Sequence, residues 1–188
     1  DYTLSRGLGD VYKRQHIHLT KCSKPIIAKV DGYAIGGGNH MAYFCDLTIA
    51  SENSIFGQNG PRVGSPAGGA IVAHSANILG HKRAREMWMT CKRYSAKEML
   101  DWGLINSVVK REKLDDEVKK YGDEILKAAP TCLKILKASF RKQFDEILKI
   151  TQKSMVDEVS PNYFKTGEQA EGAKAFLEKR KPNFKKFR

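Results

Sequence analysis

The chain has 188 residues, of which 33 are Lys or Arg and 21 are Asp or Glu, so its formal net charge is +12. A composition of 41% hydrophobic and 29% charged residues is typical of a globular protein and excludes a disordered polyelectrolyte. No apolar run approaches the roughly 18 residues that a membrane-spanning helix needs. The basic balance leaves three interpretations open: nucleic-acid binding, a phosphate-bearing ligand, or solubility alone.

The first fifteen residues differ from the rest because they lack apolar periodicity. Residues 5–15 can be back-translated into consecutive codons of a common sequencing-library adapter, which predicts that residues 1–15 are not native. The alternative is a basic, flexible tail. Without this segment the net charge is still +11, and we expect the sequence from His16 onward to be a truncated gene fragment.

Short apolar runs and glycine-rich turns characterise the first part of the chain. Strands are predicted over residues 26–30, 47–50 and 54–56, because these runs are rich in β-branched residues. A short, mostly buried helix is predicted after Gly36-Gly37-Gly38. Residues 58–69 are rich in Gly and Pro and are predicted to form a loop.

The rest of the chain has mainly helical periodicity. Ser95 and Glu98 have the spacing of a capping box, which predicts a helix that starts at Ala96. The fold class is therefore α/β, with a first part over 16–110 and a helical C-terminal region over 111–188. The predicted helices are 69–79, 81–90, 96–102, 114–129, 131–142, about 145–159, and one capped by Thr166 that runs to about 176, with a strand over 105–109.

Four cysteines are scattered along the chain, at Cys22, Cys45, Cys91 and Cys132. Their spacing fits neither a disulfide framework nor a zinc site, so no metal is predicted. They indicate buried thiols in a reducing compartment, the cytoplasm.

The three glycines between a strand and a helix place free backbone N–H groups at the positive end of that helix. Such groups can bind an anion or a developing oxyanion. A plain tight turn explains the glycines equally well. Neither a dinucleotide-binding motif nor a P-loop is present in the sequence.

The sequence around these glycines carries a family resemblance. The runs KPIIAKVDGYAIGGG at 24–38, CDL at 45–47, FGQ at 56–58 and AFLEKRK at 175–181 resemble the signature of the crotonase (enoyl-CoA hydratase/isomerase) superfamily. The resemblance covers residues 24–188. Residues 56–65 and 80–88 are most similar to the branch that contains 1,4-dihydroxy-2-naphthoyl-CoA synthase and 2-ketocyclohexanecarboxyl-CoA hydrolase.

The resemblance implies a crotonase-like ββα spiral core that lacks its N-terminal part, followed by a helical trimerisation region. It also implies an acyl-CoA substrate, no tightly bound cofactor, and a homotrimer or hexamer. Gly37 would supply one of two backbone N–H groups that hold the thioester oxygen as it becomes an enolate. The second donor would come from a preceding segment, and no residue in this sequence matches it.

Ordinary hydratases of the family use two glutamates to add water, and their positions fall on His40 and Gly60. Neither residue is a carboxylate, so this mechanism is not supported. His40 has the chemistry of a base near neutral pH, although a lone histidine in a short helix is more often a packing residue.

Some members of the naphthoate-synthase branch have Gly at the second position and bind bicarbonate there as the general base. By resemblance, Gln58 and Trp88 would hold the ion beside Gly60, since an amide and an indole both donate N–H groups. The alternative is that Gln58 satisfies loop backbone and Trp88 is core. Ser65 of the branch is retained, whereas Ala67 replaces its Asp and Phe164 replaces its Tyr.

The C-terminus is basic and contains interleaved aromatic residues. By resemblance, Phe176 and Lys179 would contact the adenine and phosphate end of coenzyme A. A solvated tail is the ordinary interpretation of such a run, and single-stranded nucleic acid is a lower one. Three functions are carried forward: an enolate-stabilising acyl-CoA enzyme of the naphthoate-synthase type, an enoyl-CoA hydratase/isomerase, and a non-catalytic RNA- or partner-binding module.

Overall fold

The computed structural model describes residues 15–150 and 154–187. Residues 1–14 of the predicted adapter segment lie outside the described residues. In the described part of the chain no helix is both long enough and apolar enough to cross a membrane.

Two three-stranded sheets form in the described part of the chain. The first has the order β1-β3-β6 with parallel neighbours, and Ile27 is opposite Leu47 in its register. The second has the order β2-β4-β5, in which β2 and β4 are parallel while β4 and β5 are antiparallel. The strands are β1 Ile27–Val30, β2 Tyr33–Ile35, β3 Leu47–Ser51, β4 Ile55–Gly57, β5 Arg93–Ser95 and β6 Ser107–Val109.

Helices connect the strands and form the C-terminal region. The first, α1, covers residues 15–21, and short 3-10 turns lie at Pro61–Val63, Arg111–Lys113 and Lys185–Phe187. The others are α2 Gly37–Phe44, α3 Ala70–Leu79, α4 His81–Thr90, α5 Ala96–Asp101, α6 Leu114–Leu126, α7 Pro130–Ile150, α8 Met155–Val159, α9 Tyr163–Thr166 and α10 Glu168–Leu177.

The predicted α/β class is confirmed, and so is the capping box. The Ser95 hydroxyl accepts from the Glu98 N–H, while the Glu98 carboxylate accepts from the Ser95 N–H at 2.7 Å. β5, which ends at this cap, has no counterpart among the predicted strands.

The prediction of two helices over 131–142 and 145–159 is wrong, because α7 runs unbroken to Ile150 and α8 is a separate short helix. No Gly or Pro interrupts residues 141–147, and Phe144, only 4% exposed, continues the buried face of α7. The last helix also starts differently. Gly167 is its N-cap, and Thr166 is the final residue of α9, where its hydroxyl donates to the Tyr163 carbonyl. The same hydroxyl accepts from the Glu168 N–H at 3.3 Å, so Thr166 still contributes a hydrogen bond to the start of α10.

The hydrophobic core lies where both sheets meet α2, α4 and α5. Its largest fully buried members are Phe56 on β4, Met87 on α4 and Met99 on α5. Burial of large apolar side chains is the main favourable term in folding. This core therefore fixes the ends of β2 and β4, from which the candidate site is built.

A partly buried ion pair joins the C-terminal region to the strands. Lys137 of α7 donates to both carboxylate oxygens of Asp46, at 2.8 and 2.7 Å. The same carboxylate accepts from the Ile26 N–H at 2.7 Å, just before β1. Because Lys137 is 8% exposed, this contact has little competition from water.

Candidate active site

The candidate site begins where parallel strands β2 and β4 end. Ile35 is paired with Gly57, and the Gly36 N–H donates to the Gly57 carbonyl at 3.0 Å. Gly36 then adopts φ 57, ψ −115 as the N-cap of α2, a conformation that favours glycine. This turn brings the start of α2 beside Gln58, the first residue after β4.

Gly37 is the first residue of α2. Its N–H is therefore one of the donors at a helix N-terminus that have no acceptor within the helix. The helix dipole adds partial positive charge at the same place. Gly37 is thus positioned as a backbone donor toward a negatively charged oxygen.

One turn further along α2, His40 contacts Gln58. The His40 Nε2 atom lies 3.1 Å from Gln58 Oε1, which accepts, so His40 donates through Nε2. Burial lowers the pKa of His40 to about 4, although the hydrogen bond to Gln58 acts in the opposite direction. The imidazole is therefore neutral at pH 7, and it holds the Gln58 amide in one orientation.

The other end of that amide is free. Gln58 is 1% exposed, and its Nε2 has no hydrogen-bond partner among the described residues. A buried donor without an acceptor costs about 1–3 kcal/mol. Such an atom, next to the start of α2, marks a place where a ligand oxygen would be stabilised.

Trp88 lies close to this pair but directs its N–H elsewhere. Its ring centroid is 5.6 Å from that of His40, while its Nε1 donates to the Ser75 hydroxyl at 2.9 Å. The space beside Gly60 is occupied, because a Cβ at this position would lie 2.8 Å from the Ser65 carbonyl oxygen. The structure thus brings Gln58 and Trp88 to the same histidine without directing both donors to one point.

A second buried histidine, His16 of α1, was not predicted as a site residue. It is 2% exposed, stacks on Phe44 at 4.5 Å and meets the His40 ring edge-on at 5.4 Å. Neither ring nitrogen has a hydrogen-bond partner among the described residues. Burial and the neighbouring histidines lower the pKa of His16 to about 4.

Ser65 lies on the loop after β4 and lines a cavity of about 390 Å³. Its N–H donates to the Gly60 carbonyl at 2.9 Å, which closes the turn between these two predicted site residues. Ala67 lies in the same cavity wall, and Tyr163 lies opposite. The Tyr163 hydroxyl donates to the Gly64 carbonyl at 2.6 Å, and burial, with the charge of Glu168, raises its pKa.

Two glycines bring this loop against α10 without any side chains between them. A Cβ on Gly64, whose φ is 62, would lie 2.6 Å from the Glu168 carbonyl oxygen. A Cβ on Gly172 would overlap the Val63 carbonyl group. The backbone of the Pro61–Val63 turn therefore touches the backbone of α10 directly.

The predicted coenzyme A contacts lie at the far end of α10. Phe176 is 69% exposed, and Lys179, also exposed, has φ 53 in the turn that follows the helix. These two residues lie apart from the cluster around His40. α10 instead contacts the Pro61–Val63 turn, which follows Gln58 in the chain. In residues 15–150 and 154–187 the structure brings together no group of three or more His, Cys, Asp and Glu side chains suited to a metal ion.

Parallel strand pairs and a glycine turn before a helix define an α/β protein, and the buried unpartnered amide of Gln58 makes the start of α2 its candidate site. A model of the family described as enoyl-CoA hydratase/isomerase matches residues 5–187. The chain therefore belongs to the enoyl-CoA hydratase/isomerase family, and the predicted crotonase-like fold and superfamily are confirmed.

Solved structures support the same conclusion. A methylmalonyl-CoA decarboxylase in complex with 2-nitronate-propionyl-CoA is similar with a TM-score of 0.78 and 27% identity, covering 92% of this chain and 67% of that one. An enoyl-CoA hydratase from Mycobacterium avium subsp. paratuberculosis K-10 matches with a TM-score of 0.78 and 30% identity, covering 92% and 70%. The chain spans about two thirds of the length of these relatives.

Several features of the site gave no signal in the sequence. The His40–Gln58 contact depends on the parallel register of β2 and β4, which residue spacing does not specify. The Trp88–Ser75 hydrogen bond joins two helices, and Ser75 looks like an ordinary small residue of α3. Phe184 and Phe187 lie in the basic C-terminal segment, and composition alone does not place them beside the Ser65 loop.

Proposed function

We propose that this chain belongs to an acyl-CoA enzyme, a lyase or hydratase, that stabilises a thioester enolate, with the Gly37 N–H donating to the thioester oxygen. The observation that carries the proposal is the start of α2 beside the buried, unpartnered Nε2 of Gln58. The Gly37 N–H at the helix start and the Gln58 amide, which the next turn of α2 holds through His40, are thus two donors suited to stabilising negative charge. The CoA thioester bound by the methylmalonyl-CoA decarboxylase relative supports an acyl-CoA substrate.

The roles of the two side chains follow from their contacts. His40 has a pKa of about 4, so it is a weak base at neutral pH and serves to orient Gln58. Gln58 then directs Nε2 at an oxygen of the substrate or of a bound anion. A fixed donor costs no reorganisation when charge develops, which is the origin of its effect on rate.

Removal of a proton from the carbon beside the thioester is the reaction to measure. We expect the protein to catalyse exchange of that proton for deuterium in hexanoyl-CoA dissolved in D₂O, followed by mass spectrometry. Gly37→Pro removes the N–H at a helix position that tolerates proline and should lower the exchange rate about 10²- to 10³-fold. Gly37→Ala keeps the N–H and is the matched control, and equal rates in the two variants would contradict the role of Gly37.

The finer proposal is a naphthoate-synthase-like reaction, in which a C–C bond is formed or broken in an alicyclic or aromatic-precursor acyl-CoA. Bicarbonate bound near Gly60 would supply a general base for such a reaction. Gln58 fits this ion because its Nε2 is free, whereas Trp88 would first have to release Ser75. Ala67 and Phe164 have no ionisable group to replace the Asp and Tyr of that branch.

Bicarbonate dependence tests this finer proposal separately. We expect the exchange rate in bicarbonate-depleted buffer to fall and to recover on addition of the ion. Gln58→Met should abolish the recovery, because it removes the amide while keeping an unbranched side chain of similar length. An exchange rate that does not depend on the bicarbonate concentration would contradict the proposal and show that another group is the base.

A hydratase/isomerase is the second candidate, favoured by the similarity to the Mycobacterium hydratase. With His40 and Gly60 at the two glutamate positions, water addition to crotonyl-CoA would need His40 as its acid or base. His40→Ala should then abolish hydration, whereas His40→Gln, which retains a donor toward Gln58, should not restore it. Hydration that survives both changes would exclude His40 from this role.

Coenzyme A binding and oligomerisation complete the proposal. Phe176 and Lys179 would contact the adenine and phosphate end of the ligand, and the double change to Ala should weaken CoA binding about tenfold.

The exposed apolar side chains of α7 support a homotrimer or hexamer: Ile135, Leu136 and Phe140 are 60%, 53% and 69% exposed. Light scattering after size exclusion measures the mass, and a monomer would contradict this assembly.

A further inference from the structure

The cavity beside Ser65 has one wall that comes from the end of the chain. Its loop side includes Ser65 and Ala67, and its opposite side includes Tyr163, Phe184 and Phe187. The volume of about 390 Å³ is within the usual size of small-ligand sites. Its polar lining comes from Ser65 and Glu168, while the Tyr163 hydroxyl already donates to Gly64. Phe184 and Phe187 make their own wall apolar.

The end of the chain reaches the cavity because the chain reverses after α10. Lys179 adopts a left-handed conformation with φ 53, and the Arg180 N–H donates to the Ala175 carbonyl at 3.0 Å. The residues that follow return toward the start of α10. Phe187 ends close to Gly167, where a Cβ would lie 3.7 Å from its ring.

One carboxylate holds this returning segment, residues 178–187, which we call the tail. Glu171 of α10, with a side chain 10% exposed, accepts from Arg180 Nη1 at 2.7 Å and Nη2 at 3.2 Å. It also accepts from the Asn183 backbone N–H at 2.7 Å, and Lys186 lies 3.9 Å away. Contacts to Arg180 and Asn183 hold the pKa of Glu171 down to about 2, so the carboxylate is charged at every ordinary pH.

We infer that the tail is a specificity element of the acyl site: Phe184 and Phe187 contact an apolar acyl group in the cavity beside Ser65, and Glu171 positions them. This inference rests on the proposed acyl-CoA function. The chemistry of the wall favours an apolar, ring-sized acyl group, because two aromatic side chains offer a large rigid apolar surface. Glu171 is a positioning residue, since it acts on the substrate only through the tail.

Calorimetric titration of the full chain with benzoyl-CoA and with free CoA tests the wall. The double variant Phe184→Ala/Phe187→Ala should raise the Kd for benzoyl-CoA about tenfold, because it removes most of the apolar contact area, and should leave the Kd for CoA unchanged. Leu126→Ala, an apolar side chain 82% exposed on α6, is the control and should change neither value. An unchanged ratio of the two Kd values in the double variant would overturn the role of the tail.

Hydrogen exchange tests the positioning residue without any ligand. Glu171→Ala should speed exchange of the Asn183 and Phe187 amides about tenfold, because the tail then opens locally, and Glu171→Gln, which keeps an acceptor, should have a smaller effect. Unchanged protection in Glu171→Ala, with the helices intact by circular dichroism, would overturn the assignment of Glu171. If the wild-type chain binds neither CoA nor benzoyl-CoA, both the proposed function and the acyl role of the tail are wrong. If it binds CoA but the ratio of the two Kd values is unchanged in the double variant, only the role of the tail is wrong.

Discussion

The strand-rich part of the molecule and its helical C-terminal region are stabilised by different means. Around Phe56 the side chains are almost fully buried, and individual polar atoms, such as Gln58 Nε2, lack a hydrogen-bond partner among the described residues. Along α6 and α7 most ion pairs lie at the surface, as in Lys119–Asp123, where the two side chains are 74% and 51% exposed, whereas Lys137–Asp46 is largely shielded. Packing fixes the first region, while the second has a surface of charges that contribute little individually. We therefore expect catalytic groups, which need fixed positions, in the strand-rich region. Ligand contacts that tolerate side-chain movement are expected in the helical region.

The largest expected effect of a single substitution comes from the core. Phe56→Ala should lower the free energy of unfolding by about 3–5 kcal/mol, because it leaves a cavity between the sheet and the helices. Phe176→Ala, in the exposed region, should change it by less than about 0.5 kcal/mol. Urea unfolding of both variants measures the contrast, and similar losses would remove the distinction between the two regions.

Acidification should act mainly on the buried histidines. The pKa values of His16 and His40 are lowered from 6.5 to about 4, so between these values the unfolded chain binds protons that the folded chain does not. The free energy of unfolding should therefore fall as the pH drops from about 6.5 to about 4, at most by about 1.4 kcal/mol per pH unit for each histidine. Below about pH 4 this contribution should be constant.

Urea unfolding at several pH values measures this dependence. His16→Leu should flatten it and also stabilise the protein near neutral pH, because the imidazole has no hydrogen-bond partner among the described residues. His18→Gln changes an exposed histidine and is the control. An equally steep curve in the His16 variant would contradict the assignment.

The contact between the two regions should have an intermediate effect. Lys137→Met should cost about 1–2 kcal/mol, because the Asp46 carboxylate, with a side chain 25% exposed, then has only the Ile26 N–H and water as partners. The double variant Lys137→Met/Asp46→Asn should recover part of this loss, since no charge then lacks a partner. A double variant as unstable as the single one would indicate that packing of α7, and not the ion pair, joins the regions.

The smallest effect is local. Ser95→Ala removes the cap of α5 and should cost about 1 kcal/mol. Lys119→Ala removes one member of an exposed pair on α6 and should cost less than about 0.5 kcal/mol. Thermal unfolding of the two variants compares them, and a reversed order would show that surface charge matters more than expected.

Local features were predictable from the sequence, and contacts between distant segments were not. The capping box at Ser95 and the glycine turn before α2 depend on neighbouring residues, so spacing alone identified them. The unbroken α7 was mispredicted because its polar residues near 141–143 resemble a loop, although Phe144 packs in the core. The resemblance supplied Gln58 and Trp88 as site residues, but their actual partners, His40 and Ser75, follow from strand register and helix packing.

The direct contact between α10 and the Pro61–Val63 turn has a mechanical consequence. Because no side chains separate them, α10 and the turn should move together as one rigid unit. A methyl group added at Gly172 would clash with Val63 and push the two apart. The helix has ten residues and is therefore about 15 Å long. If Lys179 holds the phosphate end of a ligand and Ser65 lies near its acyl end, the length of α10 sets the distance between these two contacts.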